Sequence, residues 1–173
     1  MKTMCIIKII VIALLSVSLT GCFKSDVALI SAGDADYPFE IITYVRVDDD
    51  DKITLKRVGD RYVNIAEKDK AFVRMKALGD HMFVAQITEL KDGKPFHLYG
   101  VIRLAPDRTG FELIKGVAKP NDLTAVRDGK VGLSICPEDD DMVCIGTLKG
   151  FVDYAVTAIR TAHVEHFKIL ALE

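Results

Sequence analysis

The feature that most constrains this chain is a series of short alternating segments set at even intervals. Across 96–105, Phe96, Leu98, Ile102 and Leu104 fall on one side with Gly100, while His97, Tyr99, Val101 and Arg103 fall on the other. Across 52–58, Ile53 and Leu55 oppose Lys52, Thr54 and Lys56. A period of two with one apolar face marks half-buried β-strands. Further short runs at 39–47, 61–66, 71–77, 81–90, 111–116, 131–136 and 142–145 are rich in β-branched and aromatic residues. Turn signals separate them, among them Gly59-Asp60, Gly79-Asp80, 106–110, 120–122 and 127–130; Asp92-Gly93 is the clearest hairpin signal, because both residues tolerate the positive φ of a tight turn. Connections this short leave no room for crossover helices, so neighbouring strands run antiparallel.

The C-terminal region has a different period. Thr147 is placed to cap a helix through Leu148, Phe151, Val152, Ala155, Ile159 and Ala162, which recur at three- and four-residue intervals. The expected fold is therefore mainly β (α+β): an antiparallel meander of about seven to nine strands, curled or closed into a barrel, with one C-terminal helix over about 147–167 covering a face or an open end.

The N-terminal 21 residues are unlike the rest. They hold Lys2 and Lys8, no acid, an apolar run from Ile9 to Leu15, and then Ser16, Ser18, Thr20 and Gly21. A positive start, an apolar middle and a small-residue exit describe a signal peptide, and the apolar run is too short to span a bilayer. The segment Leu19-Thr20-Gly21-Cys22 resembles the lipobox of bacterial lipoprotein precursors, over the first 22 residues alone. That resemblance implies lipidation of Cys22, with cleavage before it and anchoring in a membrane through acyl chains, each buried CH2 contributing about 0.8 kcal/mol. It further implies a cell-envelope location, and Phe23 in place of the Asp that retains such proteins in an inner membrane favours an outer membrane facing the periplasm in a Gram-negative cell. The expected organisation is a leader at 1–21, a tether at 22–37 that lets the domain stand off the membrane, and one globular domain at 38–173.

Removing 21 of 173 residues leaves 152, the length of a single domain with a core of its own. The leader takes away two lysines and no acid, moving the net charge from -2 to about -4. A mildly acidic chain without a long basic run argues against nucleic acid as a partner. Besides Cys22, two cysteines follow the leader, Cys136 and Cys144, and an even pair in an oxidising compartment reads as a disulfide.

Catalytic and metal signatures are weak. The acidic runs 48–51 and 138–141 lack the alternation, central Gly and distant Glu of a calcium loop and read as solvated turns. His163 and His166 would share a helix face, with His97 as a remote third ligand, but a polar helix end explains them better. Ser25, Ser31 and Ser134 stand outside any Gly-x-Ser-x-Gly context, and no glycine-rich phosphate loop occurs. The chain therefore reads as a non-enzyme without a cofactor beyond its covalent lipid.

One charge feature points to a surface. Lys52, Lys56, Arg57, Arg61, Lys68, Lys70, Arg74 and Lys76 crowd a stretch whose acids are Asp60, Glu67 and Asp69. If the three strands there pair as a meander, Lys52, Lys56, Arg61, Arg74 and Lys76 form a basic face able to meet anionic lipid, an anionic envelope polymer or an acidic envelope protein. The functional expectation is an anchored envelope lipoprotein with a binding or structural role. Two alternatives stand beside it: a carrier of a small apolar ligand, since a closed meander with a helix resembles the lipocalin outline without its Gly-x-Trp motif, and an inhibitor of a cell-wall hydrolase.

Overall fold

The computed structural model describes residues 22–67, 70–91, 93–115, 133–136, 139–158 and 163–173. The leader, the expected turns at 120–122 and 127–130, and the expected helical positions Ile159 and Ala162 lie outside them. Among the described residues there are eleven strands: β1 (Cys22–Ser25), β2 (Ile41–Arg46), β3 (Lys52–Val58), β4 (Arg61–Asn64), β5 (Ala71–Gly79), β6 (Met82–Lys91), β7 (Lys94–Leu104), β8 (Gly110–Lys115), β9 (Leu133–Cys136), β10 (Asp139–Ile145) and β11 (His163–Leu172). The helix α1 spans Leu148–Ala158, and Ala32–Asp34 makes a single 3-10 turn.

Eight strands close a ring in the order β6-β5-β4-β3-β2-β11-β8-β7, with β7 pairing back onto β6. Every pair in the ring is antiparallel. The fold of the described residues is thus a closed, mainly β barrel with extra strands and the helix α1, and closure removes the edges that the ring strands would carry in an open meander. Local turn chemistry sets the hairpins. Gly59 sits at φ 61° in the two-residue β3–β4 turn, a conformation that L side chains rarely adopt.

Alternation decides what fills the barrel. Ile42 and Tyr44 of β2, Leu55 of β3, Tyr62 of β4, Met75 of β5, Leu104 of β7, Phe111 and Leu113 of β8 and Phe167 of β11 form one buried cluster. The rings of Phe111 and Phe167 stack with centroids 4.7 Å apart, and Tyr44 meets both edge-on. The charged residues Lys52, Lys56, Arg61, Arg103 and Glu112 alternate with these inward positions and are drawn from the same strands. An apolar inside with a charged outside is the reverse of a barrel that crosses a bilayer, which needs an apolar outer girdle.

The strand β7 is longer than its neighbour β8. Its residues Val101–Leu104 pair with β8, and Tyr99–His97 pair on the same edge with β1. From β1 the sheet continues through β10 to β9. A second buried cluster lies outside the barrel, where Phe23, Val84, Tyr99, Val101 and Val143 meet Phe151, Tyr154 and Ala155 of α1.

Three expectations are corrected here. The segment expected as a tether at 22–37 is part of the domain: β1 is paired on both sides, and Phe23 and Ile30 are buried. Its apolar residues are too few to show a period, and its partners β7 and β10 lie far along the chain, so nothing local announces them. The helix expected to about 167 is shorter, and His163–Leu172 is the strand that closes the ring between β8 and β2. Exposed His166, buried Phe167 and exposed Lys168 show its alternation. Lastly, β1 and β10 run parallel, an exception to the antiparallel rule.

Candidate interaction face on the outer wall

Strands β3, β4 and β5 are consecutive neighbours, with Lys56 opposite Val63, Val63 opposite Phe72, and Val58 opposite Arg61. This register brings Lys52, Lys56, Arg61, Arg74 and Lys76 onto one outer wall. Lys52, Lys56 and Arg61 are exposed, whereas Arg74 and Lys76 are half-buried. The guanidinium groups of Arg61 and Arg74 lie 4.9 Å and 5.2 Å from the centre of the Phe72 ring, within cation–π reach.

The five cations are not equivalent. Arg74 is ion-paired to Asp60, and its Nε also donates to the Asp60 carbonyl at 3.2 Å. The Arg74 hydrogen bond holds the Asp60 carboxyl below its ordinary range. Lys76 donates to the Asp34 carbonyl at 3.1 Å. Arg57, one position beyond Lys56, points to the barrel end, where it pairs with Glu40 at 2.8 Å and lies 4.2 Å from the Tyr37 ring. Sequence reasoning gave the wall as five like charges; the structure divides it into an exposed set, Lys52, Lys56 and Arg61, and a set engaged within the fold.

Next to this wall, on β6 and β7, lies a buried polar network that the sequence did not announce. The Ile30 N–H and the Tyr99 hydroxyl each donate to Gln86 Oε1 at 2.8 Å, and Tyr99 accepts from the Leu29 N–H at 2.9 Å. Gln86 Nε2 donates to Thr88 Oγ1 at 3.4 Å, and Thr88 Oγ1 lies 2.9 Å from His97 Nδ1. Gln86, Thr88, His97 and Tyr99 are all buried. Burial, followed by the nearby Arg74 charge, holds the His97 imidazole below its usual pKa, and burial pushes the Tyr99 hydroxyl up to about 12. The network ties residues 27–30 to the barrel.

The other expected positions are dispersed. Cys22 opens β1, while Cys136 and Cys144 are joined by a disulfide between β9 and β10 with their Cα atoms 5.0 Å apart. His166 is on β11 beside Glu112 at 3.5 Å, His97 is in the buried network, and His81 is at the β5–β6 turn. The shared helix face expected for His163 and His166 is replaced by the strand β11. Among the described residues no group of three or more His, Cys, Asp or Glu side chains is placed to hold a metal ion. Nor is any helix among them long and apolar enough to cross a membrane.

Inside the barrel a cavity of about 50 Å³ is lined by Phe39, Ile42, Met75, Phe83, Ile102 and Leu113 among other apolar side chains. Pockets that enclose drug-sized ligands run to about 300–1,000 Å³. No protein-family model, curated protein or solved structure matches this chain in comparison.

Proposed function

We propose that this protein is a cell-envelope lipoprotein, lipidated at Cys22, that acts by binding a partner through its outer wall rather than by catalysis. The observation that carries this reading is the contrast between a nearly filled apolar interior and an exposed cationic wall at Lys52, Lys56 and Arg61. The run Leu19-Thr20-Gly21-Cys22 supplies the anchor, and the rigid ring supplies a fixed presentation of charge. The partner is anionic, an envelope polymer or an acidic protein face, since a cationic wall attracts either through the same field.

Intact mass of the protein made in a bacterial host tests the anchor. Wild type should carry residues 22–173 plus acyl groups, and Cys22→Ala should not; an unacylated product cleaved elsewhere would remove the anchor. Crosslinking in intact cells tests the binding role. Recovery of one envelope partner by wild type and its loss in a Lys52→Glu, Lys56→Glu variant is the expected outcome, and turnover of a substrate by the purified domain would overturn it.

A closed barrel is also compatible with a carrier of a small apolar ligand. With about 50 Å³ free, any such ligand larger than a few atoms has to displace Met75, Phe83 or their neighbours. Titration with a fluorescent fatty-acid analogue separates the two: saturable binding that Met75→Trp abolishes would favour the carrier.

A further inference from the structure

A cleft of about 440 Å³ lies at one end of the barrel, between Asp80 and His81 of the β5–β6 turn and Ala105 and Pro106 of the β7–β8 turn. The backbone holds its near side in place, since the Leu104 N–H donates to the His81 carbonyl at 2.9 Å. Ligand pockets run to about 300–1,000 Å³, and this cleft falls in that range. It is far from the cationic wall. From β8, which supplies Glu112, four steps in either direction around the ring lead to β4, which carries Arg61.

Strand register sets out the polar groups. Arg103 of β7 stands opposite Glu112 of β8, and Glu112 opposite His166 of β11. Neighbouring strands are about 4.8 Å apart, so the three side chains make a row about 10 Å long. Arg103 Nε donates to Glu112 Oε2 at 2.7 Å, and Arg103 Nη2 lies 2.5 Å from the same carboxylate oxygen. Glu112 Oε1 is left 3.5 Å from His166 Nδ1, longer than an ordinary hydrogen bond. Among the described residues the side chains of Asp80 and His81 have no hydrogen-bonding partner.

His81 occupies its place at a conformational cost. Asp80 and His81 have φ of 49° and 61°, and the third non-glycine residue with positive φ among those described, Arg108 at 57°, belongs to the same β7–β8 turn as Pro106. Glycine would take the His81 backbone freely, and two-residue hairpin turns favour it. Folding of the hairpin therefore does not call for an imidazole there, and backbone strain of this kind collects at ligand sites.

The donors and acceptors define the ligand class. Glu112 neutralises Arg103 and Asp80 adds a second carboxylate, so an anion finds no unpaired fixed cation among the lining groups. A cation would answer the carboxylates and leave the N–H donors of Arg103 and the imidazoles unused. A hydroxyl both donates and accepts, so a run of neighbouring hydroxyls fits a row of guanidinium, carboxylate and imidazole. Ala105 and Pro106 offer apolar surface to the C–H face of a ring. We propose that this cleft binds an uncharged sugar ring, with its hydroxyls held between His81, Glu112 and His166. The site depends neither on Cys22 nor on the cations of the opposite wall.

The full chain, isotope-labelled and held in micelles of a detergent without a sugar headgroup, is titrated with glucose, galactose and N-acetylglucosamine while its amide resonances are followed. At least one of these should give saturable shifts at His81, Gly110, Glu112 and His166, with Thr54 and Arg61 unmoved. His81→Gly should weaken that binding about five- to tenfold, the effect of one lost hydrogen bond, with the resonances of the barrel otherwise retained. His166→Ala should weaken it to a similar degree, and Lys56→Glu should leave it unchanged. The proposal is overturned by the absence of saturable shifts at about 100 mM of any of these sugars, about a hundredfold above a millimolar Kd. Undiminished affinity in both histidine variants, or saturation of the same amides by succinate or tetramethylammonium in place of sugar, would overturn it equally.

Discussion

The Tyr99 hydroxyl and Gln86 Oε1 lie 2.8 Å apart in a buried site, and between them they satisfy the backbone N–H groups of Leu29 and Ile30. Leucine at 86 has similar volume and no acceptor, so Gln86→Leu leaves the Ile30 N–H without its partner. An unsatisfied buried donor costs about 1–3 kcal/mol. Chemical unfolding should show a loss in that range, and hydrogen exchange at Leu29 and Ile30 should accelerate while core amides such as that of Val101 keep their protection. Unchanged exchange at both residues would mean that the network does not hold the segment.

The same network gives stability a pH dependence with a definite sign. Thr88 Oγ1 accepts from Gln86 Nε2 and lies 2.9 Å from His97 Nδ1, and burial followed by the nearby Arg74 charge disfavours the protonated imidazole. With the folded pKa lowered from 6.5, chiefly by burial, the unfolded chain binds the extra proton first as the pH falls. This contribution is therefore fully present above the unfolded value and is lost as the pH drops below about 6.5, levelling off under the folded value. Melting temperature measured between pH 8 and pH 5 should fall through that window, and His97→Gln should flatten the fall. The lowered carboxyls of Asp60 and Asp107 act in a separate window, being lost only as the pH drops below 3.8.

How far the sequence foretold this structure follows from the range of each signal. The strand at 52–58 was legible to the residue, because Ile53 and Leu55 alternate with lysines inside one hairpin whose turn is Gly59-Asp60. Strands β1 and β11 were not. Phe23 finds its place only through Tyr99 and Phe151, and His163–Leu172 follows directly on a helical pattern that favoured extending the helix. Closure of the ring depends on the long-range pairing of β11 with β2 and β8, so alternation alone leaves barrel and open sheet equal. The basic wall was readable as charge, yet which of its members are engaged turned on Asp60 and on the Asp34 carbonyl, contacts no spacing reveals.

Gly110 marks a close approach of β8 to β11. A Cβ there would sit 2.6 Å from the Phe167 carbonyl oxygen, a backbone atom that moves only if the two strands part. Gly110→Ala should therefore destabilise by the about 1–3 kcal/mol typical of overpacking. Gly33 is the control, since a Cβ at that position meets nothing within 4 Å, and Gly33→Ala should leave the unfolding midpoint unchanged or slightly raised. Equal effects of the two changes would contradict the close approach.

The Cys136–Cys144 bond closes a short loop, with a sequence separation of 8 between β9 and β10. In the chain-entropy account a loop of this size contributes about 2.5 kcal/mol. Because Cys136 packs with Leu98 of β7, reduction should loosen β9 first and leave the ring strands protected. Hydrogen exchange with and without reductant reads this directly: accelerated exchange at Leu133 and Ser134, with Val84 and Leu113 unchanged, is the expected pattern.

The outer wall makes the most direct claim about function, because its exposed and engaged cations should behave differently. Lys52, Lys56 and Arg61 face solvent, while Arg74 is committed to Asp60 and half-buried against Phe72. Contact of a cation with a polyanion releases counterions, so each exposed charge removed should lower the salt concentration at which the protein elutes from a polyanionic resin. Lys52→Glu and Lys56→Glu should each bring elution to lower salt while leaving the melting temperature unchanged, since exposed charges contribute little to stability. Arg74→Gln should do the reverse, shifting elution little and lowering the melting temperature, because it removes the ion pair and one cation from above Phe72. If the shifts simply follow the change in net charge, two units for each Lys→Glu and one for Arg74→Gln, the division between exposed and engaged residues has no bearing on binding.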